Sequence, residues 1–170
     1  MTANDILILM HIIGTVLGVG GATFIEILLI NALRDGNVTP EESTLMQASY
    51  NTLRVGFFLL ILSGFGFLIL ARLTEHNQWF YSLQFWAKLS IVGIIAVNAA
   101  LLGLKRIPLL VGSAIALTSW YAALVLGVLR KAHFDLIGII VVYIISIIIV
   151  YVVLRKIHAR YAPAPILNAS

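Results

Sequence analysis

Five stretches of the chain are almost free of polar side chains, and the polar residues gather between them. They are Ile6–Leu33, Val55–Ala71, Leu83–Leu104, Ile107–Leu129 and Leu136–Leu154. A helix rising about 1.5 Å per residue needs roughly 20 apolar residues to cross about 30 Å of hydrocarbon. The pattern therefore predicts an all-α integral membrane bundle of five transmembrane helices, four packed plus one peripheral, joined by short loops. Short loops place consecutive helices side by side and antiparallel. The fifth run is Val, Ile and Leu with Tyr143, Ser146 and Tyr151, so it is the helix expected at the lipid-facing periphery.

Local signals set the boundaries. The first run is longer than the bilayer core, so it must tilt or project, and Asp35-Gly36 supplies a stop because glycine takes the left-handed conformation cheaply. Thr39-Pro40-Glu41-Glu42 reads as a helix start, a Thr39/Glu42 capping box with proline at the first helical position. The stretch Glu41–Arg54 is an amphipathic lead-in to the second run. Trp79, Phe80, Tyr81 and Trp86 cluster at the start of the third run, where an interfacial aromatic belt is expected. Residues 1–156 are expected to form one transmembrane domain. Residues 157–170, with their Ala-Pro-Ala-Pro sequence, are expected to form a flexible tail. Met1–Asp5 lacks the basic segment of a secretory signal, so the first run is expected to be retained.

Composition narrows the function. Of 170 residues 61% are hydrophobic and 11% charged, whereas soluble domains carry about 25% charged residues. The net charge of +4 does not mark a nucleic-acid partner, because the cations sit at the ends of apolar runs and form no basic stripe. The expected partner is the lipid bilayer, with a second copy or a membrane-complex subunit as further candidates. The chain has no cysteine, which excludes disulfides, thiolate zinc, iron–sulfur clusters and thioether-attached haem. Five spans put Arg34, Arg54, Lys105, Arg106, Arg155, Lys156 and Arg160 on one side and Arg72, Arg130 and Lys131 on the other. That imbalance predicts a multi-pass protein of the cell membrane, a bacterial inner membrane, with its N-terminus outside and its C-terminus cytoplasmic.

Lipid does not explain every residue. An ionisable side chain at the bilayer centre costs about 2.5–3.5 kcal/mol, which singles out His11, Glu26 and Lys88, with Asn98 as a polar companion. At about 100° per residue, Thr15, Gly18, Ala22 and Glu26 fall within roughly 60° of His11. Gly14 and Gly18 form a G-x-x-x-G spacing and Gly21 follows, which predicts close helix packing. Depth counted from the span ends suggests two intramembrane clusters, His11 with Lys88 and Glu26 with Asn98. His11 is either a buried imidazole bonded to a neighbouring hydroxyl or carbonyl, or a metal ligand or proton carrier. Lys88 is either a snorkelling cation or a partner for that site. His76 and His133, with Asp5, Glu75 and Asp135, offer a weaker metal site outside the membrane, and His158 is expected to be solvated.

The order of these features carries a resemblance. A histidine early in helix one, the stretch Gly18-Val-Gly-Gly-Ala22, the patch Leu62-Ser63-Gly64-Phe65-Gly66 and Trp86-Ala87-Lys88-Leu89 follow one another. This resembles a family of small bacterial multi-helix membrane proteins over roughly the first two-thirds of the chain. More distantly it is similar to the haem-associated membrane protoporphyrinogen oxidases and the copper-resistance D-type domain. The resemblance implies a b-type haem, with His11 as ligand and Lys88 beside it, and membrane oxidoreductase activity if the chain is an enzyme. The chain departs from the oxidases at Thr23–Leu28, where Glu26 stands in place of a base. It also lacks a second intramembrane histidine, which implies five-coordinate iron or a different second ligand. Two other functions fit the residues, a structural or assembly subunit and proton-linked solute transport through Glu26 and Asn98. No nucleophile–base constellation or phosphate-binding glycine loop is present.

Overall fold

The computed structural model describes residues 2–36, 38–74, 82–129 and 135–161. Five helices account for nearly all of them: α1 (Ala3–Asp35), α2 (Pro40–Leu73), α3 (Leu83–Gly103), α4 (Leu109–Val128) and α5 (Leu136–Tyr161). All five are long and apolar enough to cross a membrane, and no strand occurs among the described residues.

The helix ends follow from side-chain chemistry. The Thr39 hydroxyl accepts from the Glu42 backbone N–H, and the Glu42 carboxylate accepts from the Thr39 N–H, so two amide groups at the start of α2 are satisfied at once. Thr2 and Asp5 do the same for α1. Gly36 ends α1 with φ 70°, a conformation that would strain a side-chain-bearing residue. The amphipathic stretch Glu41–Arg54 is continuous with the second apolar run, making α2 one helix of 34 residues beside an α1 of 33. Each is about 50 Å long, well beyond the roughly 30 Å of hydrocarbon. In a bilayer two such helices must tilt or project.

The packing differs from four helices with α5 apart. Among the described residues α1 packs on α2, α4 and α5, and α3 packs on α4 and α5, while α2 has backbone contact with α1 alone. The consecutive helices α2 and α3 are not neighbours, and α1 does not touch α3. Both α2 and α5 are outer helices. Leu154, at the end of its apolar run, is the described α5 residue that is fully buried. Polar anchors nevertheless hold α5 to the bundle. It also remains helical to Tyr161, so residues 157–161 extend the domain past its expected limit at 156. The remainder of the expected tail lies outside the described residues.

Trp120 of α4 is the centre of the core, 1% exposed and surrounded by Ala22, Leu60, Ile91 and Ile95. Its ring lies on Gly18, where a Cβ would run into it. Phe57 of α2 meets it edge-on, with ring centroids 6.3 Å apart. The α1–α2 crossing is equally tight. A Cβ on Gly14 would lie 2.8 Å from the Gly56 carbonyl oxygen, one on Gly56 would lie 2.8 Å from the Gly14 oxygen, and one on Gly21 would lie 3.0 Å from Leu53. With little solvent-driven association between helices in lipid, such van der Waals fit supplies much of the attraction.

Gly18→Ala should destabilise the bundle by about 1–3 kcal/mol, the usual cost of overpacking, read as a lower melting temperature in detergent. Gly20→Ala, whose added Cβ meets nothing within 4 Å, should cause no such loss. The Gly18→Ala penalty should shrink in a Trp120→Leu background.

Candidate functional site

The polar residues within the bundle fall into separate sites. His11 lies on α1 against α2, and its Nδ1 is 2.9 Å from the Ser63 Oγ. Ser63 is completely buried, and its hydroxyl reaches the carbonyls of Leu59 at 2.7 Å and Leu60 at 3.1 Å. With the serine proton directed to its own helix, the serine oxygen is left to accept, so His11 Nδ1–H is the donor. This assigns the tautomer from the network and leaves a lone pair on Nε2, which has no hydrogen-bond partner among the described residues. Phe67 meets the imidazole edge-on at 5.7 Å between centroids. The Lys88 ammonium lies within electrostatic range of the ring. His11 and Lys88 thus share one end of the bundle although their helices do not touch.

Glu26 and Asn98 do not pair, and this corrects the intramembrane cluster expected of them. Asn98 Nδ2 donates to the Gly112 carbonyl at 3.0 Å, tying α3 to α4, and its Oδ1 is buried without a partner among the described residues. Glu26, 5% exposed, is bonded through Oε1 to His158 Nε2 at 3.0 Å. The physical reason lies in the packing, because α1 faces α4 and α5, while α4 separates it from α3. His158 is therefore not solvated. It sits just beyond Arg155-Lys156, the cations closing the α5 apolar run, so Glu26 stands at the charged end of the bundle. That location is less costly for a carboxylate than mid-bilayer. Nearby, the Arg34 guanidinium stacks on Tyr161 at 5.4 Å from the ring centroid.

Two further interhelical bonds repeat the His11–Ser63 arrangement. Tyr121 OH lies 3.1 Å from Thr23 Oγ1, and that hydroxyl donates to the Val19 carbonyl. Tyr143 OH lies 2.8 Å from Ser119 Oγ, and that hydroxyl donates to the Ile115 carbonyl. In each case a hydroxyl caps a carbonyl of its own helix and accepts from a neighbouring helix. Gly14, Gly18 and Gly21 lie at the close contacts of α1 with α2 and Trp120.

Sequence reasoning passed over Trp120, gave Ser63 no bonding role and expected His158 to be solvated, and each had a signal. Gly56, Leu60, Ser63 and Phe67 fall at the spacing of one helical face, as do Leu154, His158 and Tyr161. A tryptophan in the middle of a span, away from the interface, points to packing. No group of three or more metal-ligating side chains occurs among the described residues. His76, His133 and Glu75 of the expected outer metal site lie outside them. Comparison with protein families, with curated proteins and with solved structures gives no match.

The Glu26–His158 bond should appear as coupling between the two positions. Polar ties between membrane helices measure about 0.6 kcal/mol and reach about 1.7 kcal/mol, and coupling of that size is expected from a Glu26→Leu/His158→Leu cycle. Additive effects on the detergent melting temperature would show that the two side chains act independently.

Proposed function

We propose that the chain is a multi-pass cell-membrane protein that holds a haem-type group against α1, with His11 as the axial ligand. The observation carrying this reading is the commitment of Nδ1 to Ser63, which orients the ring and leaves the Nε2 lone pair for a metal. Ligating imidazoles are commonly fixed in this way through their other nitrogen. The donor set fits one axial position. The other described histidine, His158, is held by Glu26 at the opposite end, so iron here would be five-coordinate or take its second ligand from elsewhere. Lys88 lies at the same end of the bundle as His11, and Phe67 meets the imidazole edge-on. The cavities on the outer face of α2, lined by residues such as Phe58, Leu62 and Ile69, do not include His11. The group would therefore be covered in part by lipid or by a partner subunit, including a second copy. When bound, haem supplies one-electron redox chemistry, and any enzymatic activity would be that of a membrane oxidoreductase. The seven cations at one end favour an outside N-terminus and a cytoplasmic C-terminus.

A second reading, a structural or assembly subunit, is favoured by the bonding of His11, Glu26 and Asn98 across helices. Proton-linked transport has less support, because the Glu26–Asn98 pair on which it rested is not formed.

Absorbance of the detergent-purified protein, expressed with ample haem, separates these readings. The haem reading expects a Soret band that His11→Ala abolishes and Ser63→Ala shifts, while Glu26→Gln leaves it in place. The subunit reading expects no band, with His11→Ala and Glu26→Gln both lowering thermal stability or partner recovery. A band indifferent to His11→Ala would overturn the assignment of the ligand.

A further inference from the structure

On the side of the bundle towards which α1, α3 and α5 run, five cations stand directly at the limits of apolar runs, Arg54 level with the interior of α1 where Leu53 meets Gly21. Arg54 precedes Val55, Lys105-Arg106 follow Leu104, and Arg155-Lys156 follow Leu154. All five are exposed. Among the described side chains none is paired with a carboxylate, and the Glu26 carboxylate is bonded instead to His158. The Glu42 carboxylate is engaged at the start of its own helix. Glu41, in the first turn of α2, lies about 20 Å along that helix from Arg54 at about 1.5 Å per residue. That is beyond the roughly 8–10 Å over which exposed charges interact at ordinary salt. Among the described side chains, the five charges thus have no ion-paired carboxylate.

The α3–α4 turn fixes two of them in place. Lys105 has a φ of 54°, a left-handed conformation that costs a side-chain-bearing residue energy and persists when its surroundings impose it. The Lys105 N–H bonds to the Leu102 carbonyl at 3.0 Å and the Arg106 N–H to the Leu101 carbonyl at 2.9 Å. The turn therefore ends α3 abruptly and presents both cations at its limit. Arg54 stacks on Tyr50, with its guanidinium carbon 4.4 Å from the ring centroid, which orders that group while leaving it exposed. In a membrane helix, apolar runs end where hydrocarbon gives way to headgroups.

We infer that this end of the protein binds anionic phospholipid headgroups through Arg54, Lys105, Arg106, Arg155 and Lys156. The headgroup phosphates supply the counter-charge, and the acyl chains lie on the exposed apolar faces that continue from these residues. Each cation near an anionic surface adds to the attraction, so removing two together should have a readily measured effect. The inference does not depend on His11 or on any bound cofactor.

The test is native mass spectrometry of the full-length protein in a neutral detergent, titrated with phosphatidylglycerol or with phosphatidylcholine. Phosphatidylglycerol should be retained about tenfold more strongly. Lys105→Gln/Arg106→Gln should reduce that retention about tenfold and leave phosphatidylcholine unchanged, whereas the charge-preserving Lys105→Arg/Arg106→Lys variant should retain it. Should the neutral variant fail to fold, 0.5 M sodium chloride applied to the wild type serves instead, and it should release the anionic lipid. Equal retention of the two lipids, or anionic retention unaffected by both substitution and salt, would overturn the inference. Complete displacement by millimolar inorganic phosphate would assign the surface to free phosphate and overturn the lipid as its source.

Discussion

The bundle depends on the space that Gly18 leaves for Trp120. A tryptophan in mid-span is too large to lie between two closely packed helices unless one of them omits a side chain. Gly18 makes that omission, and the ring fills the notch. Three helices then meet on the indole of α4, through Ala22 of α1, Leu60 of α2, and Ile91 and Ile95 of α3. Because α1 and α3 have no close backbone contact, this one side chain links the packing of the α1–α2 pair to that of α3. The glycines of the α1–α2 crossing serve the same end by letting two long helices lie almost backbone to backbone.

Polar side chains then tie individual helices together. Water is scarce inside the membrane, so a hydroxyl must find its partners in protein. Ser63, Thr23 and Ser119 each donate to a carbonyl in the preceding turn of their own helix and keep an oxygen lone pair for a neighbour. His11, Tyr121 and Tyr143 supply the corresponding donors. This explains how a bundle so poor in polar residues can still hold particular helices together. At His11 the same arrangement has a chemical side effect, since a bond that serves packing also determines which imidazole nitrogen keeps its lone pair.

The helices were legible in the sequence because hydrophobic run length and capping chemistry are local. Thr39, Glu42 and Gly36 mark their boundaries without reference to the rest of the chain. Which helices meet was much less legible, because nothing in runs of Ile, Val and Leu specifies a neighbour. The Glu26–Asn98 expectation failed for that reason. Matching depth is necessary for a pair, but α4 stands between the two helices. His158 was misread because it follows two cations that mark the edge of the membrane, although it shares a helical face with the buried Leu154. The notch at Gly18 was visible as a small residue, while the ring that fills it could not be inferred from α1 alone.

The bond between Glu26 and His158 joins positions 132 residues apart. It cannot form until all five helices have been synthesised and α5 has settled beside α1. Before then Glu26 is a carboxylate without its imidazole, on a helix that already packs on α2 and α4. The pair is therefore a property of the complete five-helix bundle, and a chain without α5 would leave the Glu26 carboxylate without this partner.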